Sequence, residues 1–484
     1  MKKRAKNKGK SKPEYSTPFA ERYSSKEMLR IFSPDHRYQT WRKLWVVLAE
    51  AERELGVPIR AAQIGELKKN IESIDYDAVR REEEKLKHDV MAHIRVYASQ
   101  CPKAAPIIHL GATSMYVVDN ADLILTRDAL MLIQRQLVNV IDVLAKFTQK
   151  FAGEPTVAFT HFQPAQFTTV GRRAALWLQD LLIDLEEIES RIKGLRFLGA
   201  KGATGTQASF LNLLGSEEKV RKLDKSVAKR MGFNGLFPVT GQTYSRKIDS
   251  QIYNTLSGIA ESAHKFSNDL RLLQHKGEIQ EPFGKKQVGS SAMAYKQNPM
   301  KTERMTSLSR LVMVLSQNGS FTAANQWFER TLDDSAGKRI AFPEAFLAVD
   351  AILGLFHTTV SGLLVHRDVI RANVERELPF IATENILMEA VKAGGDRQEL
   401  HEVIRRHSVE ADRNRKKGKE NDLLRRLKND GAFQALEKKM DQLMDPNAYV
   451  GRSVGQIRDF LRSDVGPVLR RNKKLLGWKG RVSV

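Results

Sequence analysis

The sequence predicts an all-α protein in which smaller helical domains flank a central bundle of long helices. Apolar residues recur at helical spacing along almost the whole chain of 484 residues, and the alternating pattern of strands is scarce. The stripes in the middle of the chain are also much longer than the helices of an average globular domain. The expected divisions are a disordered basic tail over 1–20, an N-terminal helical domain over 21–113, the central bundle over 114–366 and a C-terminal helical domain over 367–484.

The N-terminal domain contains a clear helical stripe. Trp41, Leu44 and Leu48 fall at helical spacing, and Gly56 followed by Pro58 supplies a stop. The pattern therefore predicts a helix that ends just before Gly56.

The central bundle is predicted from three long stripes. The first repeats every seven residues from Leu123 to Phe151, which predicts a helix of roughly 45 to 50 Å that Gly153 and Pro155 end. The second stripe runs over 174–195 and the third over 248–273. Seams this regular are typical of bundles whose helices also pack against other subunits.

The chain is strongly basic, with 79 Lys and Arg against 57 Asp and Glu and a formal net charge of +22. Seven of these cations lie within residues 1–12, where the favoured interpretation is a solvated tail and the alternatives are a polyanion-binding arm or a nuclear-import signal. A second basic stretch covers 405–428. Neither stretch carries interleaved aromatic residues, so nucleic acid is an unlikely partner except through the tail. The basic body favours small anionic ligands.

Several classes of protein are excluded by simple counts. The single cysteine, Cys101, rules out a disulfide framework and a cysteine zinc cluster. His88 and His93 are five residues apart, which does not match the four-residue spacing of a helical zinc motif. We expect no metal, no membrane span of about 20 apolar residues and no secretory signal, and hence a cytoplasmic protein.

Polar loops between the stripes hold the residues suited to chemistry. Three stretches stand out at 108–114 (IHLGATS), 160–166 (THFQPAQ) and 281–299. In the third, Ser290 follows flexible glycines and precedes Lys296 and Asn298, a set that suits a substrate on which negative charge develops. The alternative is that the serines only cap a helix and the lysine is solvated.

Two further segments could bind or transfer protons. His161 precedes a proline in a stretch that cannot lie within a helix, although a lone histidine is often structural. The segment 326–339 contains Arg330, Ser335, Lys338 and Arg339, which form either an anion-binding set or an exposed charged turn.

These segments together resemble a known family. The stretch GSSAMAYKQNP resembles the signature of the fumarase/aspartase superfamily, and THFQPAQ and HLGATS resemble its two other characteristic regions. Further stretches, such as LKHDVMAH, KGATGTQASF, TGQTYSRK and WFERTLDDSAGKR, are similar to the adenylosuccinate lyase family of the animal type. The similarity extends from Tyr23 to the region of Arg452.

The resemblance implies an all-helical homotetrameric lyase whose active sites combine residues of three subunits. Such an enzyme releases fumarate by β-elimination from adenylosuccinate, giving AMP, and from the succinylated aminoimidazole carboxamide ribotide. No metal or organic cofactor is implied. The substrates are small anionic nucleotides, which agrees with the basic composition.

The resemblance also assigns roles to individual residues. Ser290 is the expected general base, His161 the general acid with His88 beside it, and Lys296 and Asn298 the groups that bind the succinyl carboxylates. Thr113, Ser114 and Gln242 are expected to contact the succinyl group. The residues expected to hold the nucleotide and its phosphate are Arg22, Tyr23, Lys87, Asp89, Arg304, Arg330, Ser335 and Arg339.

One position departs from the signature, because Ala294 stands where the superfamily has proline. We expect an active enzyme whose loop closes more slowly. The alternatives are another fumarate-releasing lyase, such as argininosuccinate lyase, fumarase or aspartase, or a non-catalytic structural protein on the same scaffold. A phosphate-free substrate would leave the cations near Arg330 without a purpose, and the retained Ser290 argues against a non-catalytic role.

Overall fold

The computed structural model describes residues 15–480, and over these residues it confirms the predicted all-α fold. The basic stretch 1–12 lies outside the described residues. Within the range predicted as tail, Phe19 is buried against the core, in a π-helical turn Phe19–Tyr23. The folded part therefore begins before residue 20.

The N-terminal region consists of five helices. They are α1 (Lys26–Ile31), α2 (Pro34–Glu54), α3 (Ala61–Lys69), α4 (Tyr76–Leu86) and α5 (Asp89–Gln100), followed by a 3₁₀ turn at Ala105–Ile107. The predicted helix around Trp41 is α2, and it ends just before Gly56 as expected.

The central region contains the long helices. They are α6 (Ser114–Lys150), α7 (Val170–Gly194), α10 (Lys247–His275), α11 (Met300–Ala324) and α12 (Asp334–Ser361), with the shorter α8 (Ala208–Leu214) and α9 (Glu217–Arg230) between them. All three predicted stripes are helices. The first extends further than expected, because α6 has 37 residues and is therefore about 55 Å long.

One predicted loop is a β-hairpin instead. Strand β1 (Pro155–Thr160) pairs antiparallel with β2 (Gln163–Thr169), and the turn between them consists of His161 and Phe162. Both turn residues have positive φ, 51° and 59°, the pattern of a type I′ turn. A second, minimal pair joins β3 (Ile279–Gln280) and β4 (Leu364–Val365).

The C-terminal region is built of short helices. They are α13 (Arg367–Ile381), α14 (Thr383–Lys392), α15 (Arg397–Lys416), α16 (Leu423–Lys428), α17 (Glu437–Met440), α18 (Ser453–Phe460) and α19 (Gly466–Arg471). Short turns at Gly431–Leu436, Gln442–Met444, Pro446–Tyr449, Leu461–Val465 and Lys473–Leu475 connect or follow them. The basic stretch 405–428 forms ion pairs with acidic neighbours in this region, as Arg415 does with Glu377 at 3.0 Å.

Two hydrophobic cores organise the fold. The larger core joins the long helices to the C-terminal region. The smaller one joins α2 and the first turns of α6 to side chains between 197 and 244, among them Phe197 and Phe210. Residues between α7 and α10 therefore pack with the N-terminal domain, although the sequence pattern places them in the central bundle.

Helix α12 tests the expectation about membranes. Among the described residues it alone is long and apolar enough to cross a bilayer, with a mean hydropathy of 1.6 over its most apolar window. That window is 83 % buried inside the protein. We therefore interpret α12 as a core helix of the bundle, and the expectation that the chain has no membrane span stays a prediction.

Candidate active site

The loop over 281–299 connects β3 to α11 and is fixed at its two ends. The buried carboxylate of Glu281 accepts hydrogen bonds from the backbone nitrogens of Lys301 and Thr302, both at 2.9 Å, and from the Thr302 hydroxyl at 3.0 Å. Glu281 thus caps the N-terminus of α11 with a charge of the favourable sign. The ammonium of Lys301 donates to the carbonyl of Pro282 at 2.6 Å.

Within this loop the structure brings Ser290, Lys296 and Asn298 into one turn. Asn298 Nδ2 donates to the carbonyl oxygen of Gly289 at 2.7 Å. A Cβ on Gly289 would lie 1.9 Å from the carbonyl oxygen of Lys296, so only glycine fits there. Ser290 Oγ accepts from the backbone nitrogens of Ala292 and Met293 at 3.3 and 3.1 Å. Lys296 is exposed.

His161 lies at the exposed tip of the hairpin β1–β2. Left-handed backbone at two successive residues that are neither glycine nor asparagine is strained, and such strain is common at functional sites. The base of the hairpin is held by the buried Glu278, which accepts from Thr156 Oγ1 at 3.4 Å and from Asn373 Nδ2 at 2.9 Å. Glu278 precedes the 281–299 loop by three residues. The same residue therefore connects the base of the hairpin to the start of the loop.

Two of the predicted phosphate ligands, Arg22 and Arg304, lie close to the ring of Tyr23. The guanidinium carbons of Arg22 and Arg304 lie 5.9 and 5.6 Å from the centre of its ring. Arg304 belongs to the second turn of α11, so this group lies beside the end of the loop that carries Ser290.

His88 forms a separate group at the start of α6. Its Nδ1 accepts from the backbone nitrogen of Met91 at 3.3 Å, which assigns the proton of the neutral ring to Nε2. That Nε2 lies 3.4 Å from Ser114 Oγ. Lys87 precedes it in the left-handed conformation, with φ of 51°, and Thr113 immediately precedes α6. Asp89 pairs with Arg339 Nη2 at 2.6 Å.

Gln242 and Arg330 are brought together by backbone contacts. The nitrogen of Gln242 donates to the carbonyl of Glu329 at 2.9 Å, and its Nε2 donates to the carbonyl of Ala203 at 3.2 Å. Arg330 Nη1 donates to Asp334 Oδ1 at 2.7 Å. Ser335 lies in the first turn of α12, one residue beyond Asp334.

A buried ion network lies beneath Gln242 and Arg330. Its anions are Asp119, Asp122, Asp249 and Asp334, and its cations are Arg37, Arg246, Arg330 and Lys338, so the two charges balance. Burial would raise the pKa of Asp334, but Arg246 and Arg330 outweigh burial and hold it below the usual value. Lys338, one of the cations that the sequence offered for anion binding, instead lies 3.2 Å from Asp122 and 3.1 Å from Asp249.

The predicted site residues therefore fall at opposite ends of the bundle. Ser290, Lys296, Asn298 and His161 lie where α6 and α10 end. His88, Ser114, Gln242, Arg330 and Arg339 lie where α6, α10 and α12 begin. Since α6 separates these ends by about 55 Å, one copy of the chain does not bring them into a single site.

Sequence reasoning missed Asp119, Arg246 and Asp334, the buried links of the ion network. A signal was present, because Asp334 follows Arg330 by four residues, the spacing of helical ion pairs, in a cation-rich segment. Among residues 15–480, no group of three or more His, Cys, Asp or Glu side chains is arranged to hold a metal ion.

Comparison with known proteins decides the family. The family described as Lyase matches residues 12–314, and the family described as Adenylosuccinate lyase C-terminus matches residues 379–460. An adenylosuccinate lyase of Saccharomyces cerevisiae is 48 % identical over 467 residues, covering 96 % of this chain and 97 % of the relative. The chain belongs to the adenylosuccinate lyase family.

Other adenylosuccinate lyases and related folds agree with this assignment. The adenylosuccinate lyase of Schistosoma mansoni is 46 % identical over 476 residues, which covers 97 % of this chain and 99 % of the relative. A fumarate lyase from Mesorhizobium sp. BNC1 has the same fold, with a TM-score of 0.79, 22 % identity and coverage of 93 % of this chain and 100 % of that one. The predicted superfamily is therefore confirmed, and this adenylosuccinate lyase family member is a lyase. The alternatives of another lyase or a structural protein are not favoured.

Proposed function

We propose that this protein cleaves adenylosuccinate to AMP and fumarate, and cleaves the succinylated aminoimidazole carboxamide ribotide in the same way, as steps of purine synthesis. The observation that carries the proposal is the turn that holds Ser290, Lys296 and Asn298 together in a chain 46–48 % identical to adenylosuccinate lyases. No second function is favoured by a specific contact.

The loop geometry suits removal of a proton next to a carboxylate. Ser290 Oγ accepts two backbone N–H hydrogen bonds, and bonds of this kind stabilise the deprotonated form of an acceptor. A Ser290 alkoxide is the proposed base. Lys296 and Asn298 are the proposed partners of the succinyl carboxylates, where they would stabilise the doubly charged aci-carboxylate as it forms.

Histidine supplies the proton for the leaving nitrogen. His161 is the proposed general acid, because its exposed position at a strained hairpin tip lets it enter a neighbouring cleft. His88 is the proposed partner of His161, since its Nε2–H points toward Ser114 at the other end of the bundle. Thr113, Ser114 and Gln242 would contact the succinyl group there.

The nucleotide substrate carries a phosphate, and the proposed ligands of the nucleotide and its phosphate include several arginines. Arg22, Tyr23 and Arg304 lie together, and Arg330 and Arg339 lie near the start of α12 with Lys87, Asp89 and Ser335. Planar guanidinium groups match phosphate oxygens in pairs, which makes arginine better suited than lysine to this task.

The proposed assembly is a homotetramer with composite sites. Support comes from the separation of the two residue groups by the length of α6, because a partner helix running in the opposite direction would bring the groups together. Helix α11 also exposes Leu311, Val314 and Phe321 at 37, 64 and 67 %, at spacings that place them on one face. The proposed location is the cytoplasm, which suits a lone buried thiol at Cys101.

The test is an ultraviolet assay of adenylosuccinate cleavage with the full chain. Ser290→Ala removes the proposed base and His161→Ala the proposed acid, and we expect each to lower kcat by at least about 100-fold. Ser291→Ala is the matched control, since it removes a neighbouring hydroxyl and should stay close to wild type. Equal activity of Ser290→Ala and Ser291→Ala would contradict the proposal, as would wild-type release of fumarate from argininosuccinate instead.

A further inference from the structure

We propose that Asp334 is a positioning residue that directs the Arg330 guanidinium toward the nucleotide phosphate. This inference rests on the proposed function, because it gives Arg330 a phosphate to bind. It assigns to the buried ion network a task beyond holding helices together.

Asp334 uses its two carboxylate oxygens for two different arginines. Oδ1 accepts from Arg330 Nη1 at 2.7 Å, and Oδ2 accepts from Arg246 Nε at 2.6 Å. The residue is 2 % exposed, so water does not compete for either oxygen. A carboxylate held from both sides has one orientation, and its partner guanidinium is fixed with it.

Arg246 is itself held from the interior. Its Nη1 and Nη2 donate to the two oxygens of Asp119 at 3.1 and 2.9 Å, a bidentate pair in which Asp119 is fully buried. The chain of contacts thus runs from Asp119 on α6 through Arg246 and Asp334 to Arg330. Asp119, Arg246 and Asp334 are all almost completely buried, whereas the side chain of Arg330 at the end of this series is 17 % exposed.

Arg330 keeps donors for a ligand, whereas Lys338 does not have the same freedom. Among residues 15–480, Asp334 is the one hydrogen-bond acceptor that the structure gives Arg330, which occupies one of five guanidinium hydrogens. Lys338 is enclosed by Asp122, Asp249 and the Tyr244 hydroxyl, the last at 2.5 Å. The network therefore neutralises Lys338 with buried carboxylates and leaves most of the Arg330 donors able to bind a ligand.

The same network fixes the surroundings of Gln242. The backbone nitrogen of Tyr244 donates to Asp119 Oδ2 at 3.2 Å, and Gln242 is bonded through its nitrogen to Glu329, the residue before Arg330. The proposed phosphate ligand Arg330 and the proposed succinyl contact Gln242 are thus both positioned by the network around Asp119. A displaced Asp334 would misplace Arg330 first, since it contacts that side chain directly.

The test separates a positioning role from a structural one by steady-state kinetics on the full-length oligomer. Asp334→Asn keeps the size of the side chain but presents an amide donor to one of two arginine donors. We expect KM for adenylosuccinate to rise about tenfold or more, with kcat little changed, and inhibition by inorganic phosphate to weaken by a similar factor. Asp333→Asn is the matched control, because its carboxylate is exposed and contacts only Gln326 and Thr331 among the described residues.

A double-mutant comparison shows whether Asp334 acts through Arg330. In an Arg330→Ala background, Asp334→Asn should cause no further rise in KM. Asp334→Glu provides a second variant that keeps the buried charge balance while displacing Arg330, and it too should raise KM more than it lowers kcat. An unchanged KM in both variants, additive effects in the double mutant, or loss of folded protein in both variants would overturn the proposal. Wild-type protein that releases no fumarate would instead overturn the proposed function.

Discussion

At the scale of single residues, Glu52 is an unusual carboxyl group that lies outside the site. It lies fully buried on α2, and neither carboxylate oxygen has a hydrogen-bond partner among the described residues. Burial raises its pKa from 4.5 to about 8. A buried carboxyl without a partner remains protonated at neutral pH, because ionisation would leave an unpaired charge in the core.

The raised pKa of Glu52 has a definite consequence for stability. Between pH 4.5 and about 8 the folded state keeps a proton that the unfolded state has lost, so stability falls as pH rises through that window. The upper limit of the slope is about 1.4 kcal/mol per pH unit. Glu52→Gln should therefore stabilise the protein little at pH 5 and substantially at pH 8, measured by thermal unfolding at equal protein concentration.

The control for this prediction lies on the same helix. Glu50 is ion-paired at the surface with Lys68 and Arg230, so Glu50→Gln should have a small effect. A gain from Glu52→Gln that is the same at both pH values would show that burial does not govern the ionisation of this group.

The positions of the site residues could be predicted only where a motif or a simple spacing determines them. Ser290, Lys296 and Asn298 are close in sequence, so a single loop was bound to hold them near one another. The different fates of Arg330 and Lys338 were not predictable, because both are cations of the same segment and only the position of Asp122 and Asp249 separates them. Burial also distinguishes His93, which packs against Tyr38 with ring centres 4.1 Å apart and has a pKa lowered by burial to about 4.

At the scale of elements, the long helices were predictable and the hairpin was not. A stripe that repeats over four heptads indicates a helix whatever surrounds it, and α6 follows that stripe. The hairpin turn consists of His161 and Phe162, whereas sequence rules expect asparagine or glycine at positive φ. The contact of the hairpin base with Glu278 joins residues that are far apart in the chain, and a single sequence does not display it.

The loop over 281–299 depends on close packing at one glycine. Gly289→Ala places a Cβ against the carbonyl oxygen of Lys296, so the turn that holds Asn298 must open. We expect kcat/KM to fall by about 100-fold with little change in unfolding temperature, because displacement of catalytic groups by an ångström costs that much. Gly284→Ala is the control, since the nearest atom to its added Cβ would be the Cβ of Gln287 at 3.4 Å, an ordinary van der Waals contact. Equal activity of the two variants would contradict this account.

The departure from the signature at Ala294 can be tested in the same loop. Ala294 is the second residue of a turn that the nitrogen of Lys296 closes on the carbonyl of Met293 at 3.1 Å, and proline is favoured at that position. Ala294→Pro should raise kcat modestly by restricting the open loop, an effect of about 0.4 to 1 kcal/mol.

A proline two residues earlier provides the comparison. The nitrogen of Ala292 donates to Ser290 Oγ, so Ala292→Pro removes one of the two hydrogen bonds to the proposed base and should lower kcat by about 100-fold. The two variants are measured side by side in steady-state assays. A lower or unchanged kcat for Ala294→Pro would show that loop closure does not limit turnover.

At the scale of the whole molecule, the bundle is a rod with different chemistry at its two ends. One end carries the proposed base, the proposed acid and the proposed ligands of the succinyl carboxylates, and the other carries His88, Gln242 and the arginines anchored by the buried network. The order of these groups along the chain is plain from the sequence. The distance between them could not be predicted, because it depends on how α6, α10 and α12 are aligned. A helix of about 55 Å is far longer than a nucleotide, so the two ends can act together only between different copies.

This geometry predicts that two inactive variants restore one another. Ser290→Ala disables a residue at one end of the rod, and His88→Ala disables a residue at the other. When the two proteins are mixed, dissociated and reassembled, some sites should receive an intact Ser290 from one copy and an intact His88 from its neighbour. Fumarate release by the mixture should then exceed that of either parent severalfold. Two variants at one end, Ser290→Ala with Lys296→Ala, provide the control, because they fall on the same loop and no pairing of different copies makes a complete loop. No restored activity in the test mixture despite confirmed mixed oligomers would place each complete site within a single copy. Restored activity in the control would show that Ser290 and Lys296 of one site come from different copies, which contradicts the single loop.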